Sequence, residues 1–197
     1  MTKKRGINII KHPRIHLYIG NGEGKTTNAF GLVLRAIGHG KKAVIIQFLK
    51  GRKNIGEYMV RRKLGKGLAK LYNIHQFGRK EFIDLKNPKK KDFELAKKGF
   101  EFAEKIITKN NKNNKNDKRN APDLLVLDEL ALASAYGLID VNLILKFLKR
   151  VPIKTTVIIT GRKTPKELIK AADLVTEMKC IKHPYQKGEK AKKGIEF

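Results

Sequence analysis

At 197 residues with 41% hydrophobic side chains, the chain has the length for one domain with its own core and is too apolar for a disordered polymer. Its formal charge of +27 raises nucleic acid as a partner, but the lysines are spread along the chain, aromatics are only 7% and tryptophan is absent, so no base-stacking platform is evident and nucleic acid is not the expected partner. No apolar run approaches the ~20 residues of a bilayer span, residues 1–14 are basic without a signal-type apolar stretch, and the single Cys180 cannot form an internal disulfide; a cytoplasmic protein without a membrane partner is expected.

Ile15–Ile19 reads as a buried strand. It runs into Gly20-Asn21-Gly22-Glu23-Gly24-Lys25-Thr26-Thr27, and a helical pattern begins at Thr26. Glycines let backbone N–H groups curl around an anion with no Cβ in the way. The helix that follows aims its dipole and its free N–H groups at the same place. Lys25 adds a point charge, and the Thr26 hydroxyl is placed to reach a magnesium ion. The loop is one residue shorter than the usual G-x-x-x-x-G-K-[ST], and it carries an acid, Glu23, where phosphate is expected. An ordinary glycine-rich turn would explain the glycines but not the Lys-Thr pair between a strand and a helix.

The helix over 26–37 presents Phe30, Val33, Leu34 and Ile37 as one face and closes at Gly38 and Gly40. Ala43–Phe48 is a second apolar run without alternation, which suits a parallel strand covered on both faces. Residues 58–64 are expected to be helical and 71–77 to form a third strand. Asp92 is the expected N-cap of a helix whose Phe93, Ala96, Phe100, Ala103 and Ile107 form an amphipathic stripe. Residues 109–120 hold five basic residues, six asparagines and one aspartate, too polar to bury, so a flexible insertion is expected at 109–121. An apolar strand at 124–127 ends in Asp128-Glu129. A helix from near Asp140 places Val141, Ile144, Leu145 and Leu148 on one face. A strand at 155–160 is closed by Gly161, a short helix holds Leu168 and Ile169, and a last strand covers 174–178.

Strand and helix alternate from end to end, which argues for a single α/β sandwich with a mostly parallel sheet over 15–197. Ligands in such sheets bind at the carboxyl ends of the strands. The glycine loop, Asp128-Glu129 and Thr160-Gly161-Arg162 all fall there. A carboxylate of Asp128 or Glu129 can hold magnesium opposite Thr26, while the other caps the next helix. Arg162 is placed to clamp phosphates or a second substrate. The histidines at 12, 16, 39, 75 and 183 lack zinc-ligand spacing, and G-x-S-x-G is absent. An ATP-using enzyme is the expectation these residues support.

The carboxyl-terminal run narrows that expectation. Thr176-Glu177-Met178-Lys179, Lys182-His183-Pro184-Tyr185, Gly188, Ala191 and Gly194-Ile195-Glu196-Phe197 resemble the closing signature of ATP:corrinoid adenosyltransferases of the CobA/CobO/BtuR type. The loop at 20–27 is similar to that family's short G-N-G-x-G-K-T-T. Gln47-Phe48-Leu49-Lys50-Gly51, Leu127-Asp128-Glu129-Leu130, Tyr136-Gly137-Leu138 and Thr160-Gly161-Arg162 match it in order and spacing. Three features depart from the pattern: Glu23 stands for a lysine, Ala131 stands for an asparagine, and 78–120 lacks the usual tryptophans.

The resemblance implies a P-loop NTPase-like, RecA-like fold and transfer of the 5′-deoxyadenosyl group of ATP to Co(I) of a reduced corrinoid, with triphosphate leaving. It implies catalytic roles for Lys25, Thr26 and Glu129. ATP would be bound by Gly20, Asn21, Gly22, Glu23, Gly24, Lys25, Thr26, Thr27 and Arg162, and Mg2+ or Mn2+ by Thr26, Glu129 and Asp128. Cob(I)alamin or a precursor corrinoid as second substrate, an electron donor for cobalt and a homodimer follow from the same resemblance. With no D-x-H-x-x-G motif, a protein histidine as lower cobalt ligand is not expected. Two other readings stand beside it: a nucleic-acid-associated P-loop ATPase, and a nucleotide-binding module without turnover.

Overall fold

The computed structural model describes residues 12–108 and 121–195. The basic segment at 1–14 and the insertion at 109–121 therefore lie mostly outside the described residues, as do Glu196 and Phe197; Ala121, at the end of the insertion, is buried.

The apolar runs become six strands: β1 Ile15–Ile19, β2 Ala43–Phe48, β3 Tyr72–Phe77, β4 Leu124–Asp128, β5 Thr156–Gly161 and β6 Leu174–Glu177. They form one sheet in the order β3-β2-β4-β5-β1-β6, and every pairing is parallel. The helices are α1 Lys25–Gly38, α2 Gly56–Met59, α3 Lys66–Ala69, α4 Lys90–Thr108, α5 Leu130–Ala135, α6 Val141–Leu148 and α7 Lys166–Ala171.

Because strand side chains alternate in direction, each central strand feeds two cores. Leu17, Val44, Ile46, Leu125, Leu127, Val157 and Ile159 pack with side chains of α4, α5, α6 and α7. Tyr18, Ile45, Val126 and Ile158 pack on the other side with Ala29, Val33 and Ile37 of α1. All six positions of β2 are buried, whereas the edge strand β6 is exposed throughout. β1 and β2 are separated in the sheet by β4 and β5, so α1 crosses over both. The connections leaving the neighbouring strands β2 and β4 run in opposite directions along the sheet, to β3 and to β5, the kind of point where open α/β sheets leave a crevice for ligands.

The local expectations need four corrections. α1 buries Lys25, Ala29, Val33 and Ile37, and Leu34 is 69% exposed. The buried stripe is thus rotated from the expected face, because Lys25 must turn inward. Asp92 is not an N-cap: α4 begins at Lys90, and the buried Asp92 carboxylate reaches back to accept from the Lys89 N–H at 2.9 Å while pairing with Arg79. That is the reach of the third-turn-position acid in a capping box. Phe93 is 42% exposed, and the buried face of α4 instead includes Asp92 and Gly99; a Cβ at Gly99 would stand 2.9 Å from the Phe48 ring. The stretch expected to be helical at 58–64 resolves into α2 and a single 3-10 turn at Val60–Arg62.

Candidate active site

The glycine loop is built against the chain leaving β6. Gly20 has φ 103°, and a Cβ there would collide with the carbonyl of Met178; a Cβ on Gly22 would stand 2.8 Å from the Lys179 backbone. Close approach as well as turn geometry therefore demands glycine. The Gly22 N–H donates to the Met178 carbonyl at 2.7 Å, and the Cys180 N–H donates to Asn21 Oδ1 at 3.1 Å. Glu23 is not left facing the cleft alone, since its Oε1 lies 2.7 Å from His183 Nε2.

Gly24 is the N-cap of α1, no side chain caps the helix, and its first turn holds no acid. Lys25, only 7% exposed, folds its ammonium onto the Gly22 carbonyl. Burial pushes its pKa down, opposed by the Glu129 carboxylate and reinforced by Arg162.

Beneath the loop, Asp128 is a fully buried hub. Its Oδ1 accepts from Thr26 Oγ1 at 2.9 Å and Thr160 Oγ1 at 2.7 Å; its Oδ2 accepts from Gln47 Nε2 at 3.0 Å and Lys50 Nζ at 2.7 Å. Lys50 also donates to Thr26 Oγ1 at 3.1 Å. Sheet register explains the cluster: Gln47 stands opposite Asp128 on one side and Gln76 on the other, and Gln76 donates to Gln47 at 3.0 Å. Desolvation opposes the Asp128 charge, but Lys50 and the hydroxyl donors outweigh it and hold the carboxyl below its usual range. Burial likewise opposes the Lys50 charge, and the carboxylates of Asp128 and Glu129 overcome it, so its pKa is raised.

Glu129 differs. It starts α5 in the left-handed region at φ 62°, and its N–H donates to Thr160 Oγ1 at 2.9 Å. Its Oε2 is buried with no hydrogen-bond partner among the described residues. Burial first, then the neighbouring Asp128 charge, raises its pKa. A buried carboxylate oxygen without a hydrogen-bond partner is a group that a cation or a proton would satisfy.

Gly22, Glu23, Gly24, Lys25, Thr26, Thr27, Lys50, Glu129, Arg162 and Ile195 line a cleft of about 770 Å³. Of the residues expected to bind nucleotide, Gly20 and Asn21 lie behind this cleft against the segment after β6, and Asp128 lies below it. A second cleft of about 300 Å³ is lined by Leu49, Arg52, Ile55 and Phe82 among others, and shares Lys50 and Glu57 with the first. The Arg52 guanidinium stands 4.5 Å from the Phe82 ring centroid.

Arg162 was expected to clamp phosphates, whereas Gln47, Lys50 and Thr160 stood in matched or strand-end segments with no role expected of them. A polar residue inside an otherwise apolar buried strand was the available signal, since such a group needs a partner. His183 and Ile195 carried no such signal.

Fold and cleft define an α/β protein that brings a glycine loop, a buried lysine and an acid-ended strand to one point. The chain belongs to the ATP:corrinoid adenosyltransferase family: the family described as ATP:corrinoid adenosyltransferase BtuR/CobO/CobP matches residues 11–197. It is 37% identical over 179 residues to a corrinoid adenosyltransferase of Sinorhizobium sp, covering 90% of this chain and 77% of that one. It is 33% identical over 183 residues to that of Pseudomonas aeruginosa (92% and 82% covered) and 31% identical over 183 residues to that of Escherichia coli strain K12 (93% and 85% covered).

Proposed function

We propose that this chain transfers the 5′-deoxyadenosyl group of ATP to the Co(I) centre of a reduced corrinoid and releases triphosphate. The observation that carries the reading is the meeting, in one cleft, of Lys25, Arg162, an uncapped helix start and the unpartnered Glu129 carboxylate. Cations and N–H groups suit a triphosphate, and the orphan carboxylate suits the divalent ion that travels with it. Among the described residues no group of three or more His, Cys, Asp or Glu is arranged to hold a metal. That fits Mg2+ or Mn2+ held by Glu129 and Thr26, with phosphate and water completing the shell. Asp128, whose two oxygens already accept four hydrogen bonds, supports these ligands from below. The bound ion would neutralise charge on the departing triphosphate.

The Co–C5′ bond forms as the C5′–O bond breaks, and the electron pair of the broken bond leaves with the triphosphate. No water or protein nucleophile needs activation. The chain's task is to hold C5′ in line and to stabilise the charge gathering on the leaving oxygen. Lys25 does the second by turning from the Gly22 carbonyl to the phosphates, and Arg162 clamps them from the end of β5. The second cleft, joined to the first through Lys50, would meet only an edge of the corrinoid, which is several times larger than its volume of about 300 Å³. An electron donor that delivers Co(I), a homodimer and a cytoplasmic site complete the reading. No helix among the described residues is long and apolar enough to cross a membrane. The nucleic-acid-associated ATPase has no observation in its favour beyond net charge.

The test is an anaerobic reaction of ATP, Mg2+ and chemically reduced cob(I)alamin, with precursor corrinoids in parallel. An adenosylcorrinoid spectrum together with intact triphosphate is expected. ADP or phosphate released with no adenosylated corrinoid would sink the proposal.

Two site predictions arise here. Glu129→Gln is expected to move the Mg2+ activation curve to higher concentration by about 10-fold or more; a curve that does not move removes Glu129 as a ligand. Glu23→Gln is expected to lower the KM for ATP, and His183→Ala to raise it, each by only a few-fold, since exposed charges contribute about 0.2–1 kcal/mol. Three identical KM values would show that the pair plays no part in ATP binding.

A further inference from the structure

Lys50 occupies an unusual place. Its ammonium stands 2.7 Å from Asp128 Oδ2 and 3.1 Å from Thr26 Oγ1, and its side chain is 27% exposed at the junction of the two clefts. We infer that Lys50 is a positioning residue that keeps the metal position closed to free divalent cations, so that the ion is admitted only together with a polyphosphate. The inference rests on the reading that Thr26 and Glu129 carry the metal of Mg·ATP.

The oxygen inventory supports it. Asp128 spends Oδ1 on two hydroxyl donors and Oδ2 on Gln47 and Lys50. The Thr26 hydroxyl gives its proton to Asp128 and accepts from Lys50. With both groups engaged, the Glu129 Oε2 is the one buried carboxylate oxygen left without a hydrogen-bond partner at this point among the described residues. A single carboxylate, with at most two oxygens, does not hold Mg2+ or Mn2+ without further oxygens; a polyphosphate supplies them. A divalent ion arriving alone would also meet the Lys50 ammonium, and like charges at short range repel. Polyphosphate oxygens reverse both conditions, giving the ion its ligands and Lys50 another anion to face.

Removing the ammonium would reverse the logic in a specific way. Asp128 Oδ2 and the outward side of Thr26 would be released beside Glu129, leaving two adjacent carboxylates and a hydroxyl without the ammonium that touches Asp128 and Thr26, while Lys25 and Arg162 still face Glu129. Such a set binds a divalent ion without nucleotide.

Mn2+ is the probe, read by the loss of its free-ion electron paramagnetic resonance signal, with the full-length chain and no corrinoid, so that nothing turns over. Wild type is expected to bind Mn2+ at least roughly 10-fold more tightly with saturating ATP than without it, after correction for Mn·ATP in solution. Lys50→Met is expected to bind Mn2+ without ATP at least roughly 10-fold more tightly than wild type does, whereas Lys50→Arg, which keeps a cation, behaves as wild type. Equal Mn2+ affinity of wild type with and without ATP overturns the inference, and so does a Lys50→Met protein, shown folded by its melting curve, that binds free Mn2+ no better than wild type. If Lys50→Met does not fold, the wild-type pair of titrations and Lys50→Arg decide alone. Failure of wild type to bind Mn2+ even with ATP has a different meaning: it removes the metal reading of Thr26 and Glu129 and the inference with it.

Discussion

Lys25→Ala is expected to lower turnover by about 10²–10³-fold or more while the protein stays folded, its melting temperature unchanged or slightly raised. The two halves of this result have separate causes. In the described state Lys25 is buried at the head of α1, and its ammonium has the Gly22 carbonyl for a partner. Burial depresses its pKa, so the charge is held at a cost to the fold. Residues that carry such a cost are characteristic of sites where function outweighs stability. The loss of rate follows because triphosphate departs with charge that Lys25 meets more fully in the transition state than in the ground state. Single-turnover formation of the adenosylcorrinoid, with a melting curve on the same preparation, measures both. Wild-type turnover would remove Lys25 from the mechanism; an unfolded variant would mean that its contact with Gly22 holds the loop together.

Asp128→Ala is expected to act in the opposite sense, destabilising the protein by about 3–5 kcal/mol because it leaves a buried cation without its counter-charge. At roughly 2–4 °C per kcal/mol for a chain of this size, the melting temperature should fall by about 10 °C. The substitution strips partners from Thr26, Gln47, Lys50 and Thr160 at once. The pairing of Asp128 with Lys50 makes the result checkable by a cycle: Lys50→Met added to Asp128→Ala should recover part of the loss, since it removes the orphaned charge. A variant that melts like wild type and shows only a changed Mg2+ response would make Asp128 a metal ligand rather than the keystone of the loop. Adjacent in sequence, Asp128 and Glu129 thus differ in their surroundings, one sealed by donors and one with an open oxygen. Asp128 ends β4 pointing into a ring of donors, while Glu129, in a left-handed conformation, has an oxygen with no partner.

Much of this arrangement was legible in the chain. Six apolar runs correspond to the six strands, and their lack of alternation pointed to a parallel sheet with both faces covered. The expectation of a mostly parallel sheet is met by one in which every pairing is parallel. Helix faces were harder to place. Periodicity locates an apolar stripe to within a residue or so but does not say which flank meets the sheet; Leu34 and Phe93 stood in the predicted stripes and face outward.

What the sequence alone determined is local in the chain or collective over its whole length: the strand runs, the Gly20–Thr27 loop with Lys-Thr opening a helix, the acids ending the fourth strand, and the ordered motifs that identify the family. These depend on neighbours within a few residues or on the pattern taken as a whole. Only the tertiary structure decided which acid is sealed and which is open, what Lys50 pairs with, and what an acid in the glycine loop pairs with. Thr26 meets Asp128 across 102 residues, Lys50 meets it across 78, and Glu23 meets His183 across 160. Hydrogen bonds and ion pairs act over a few ångströms in space, so partners so far apart in the chain leave no mark on each other's local pattern until the sheet brings the strand ends together.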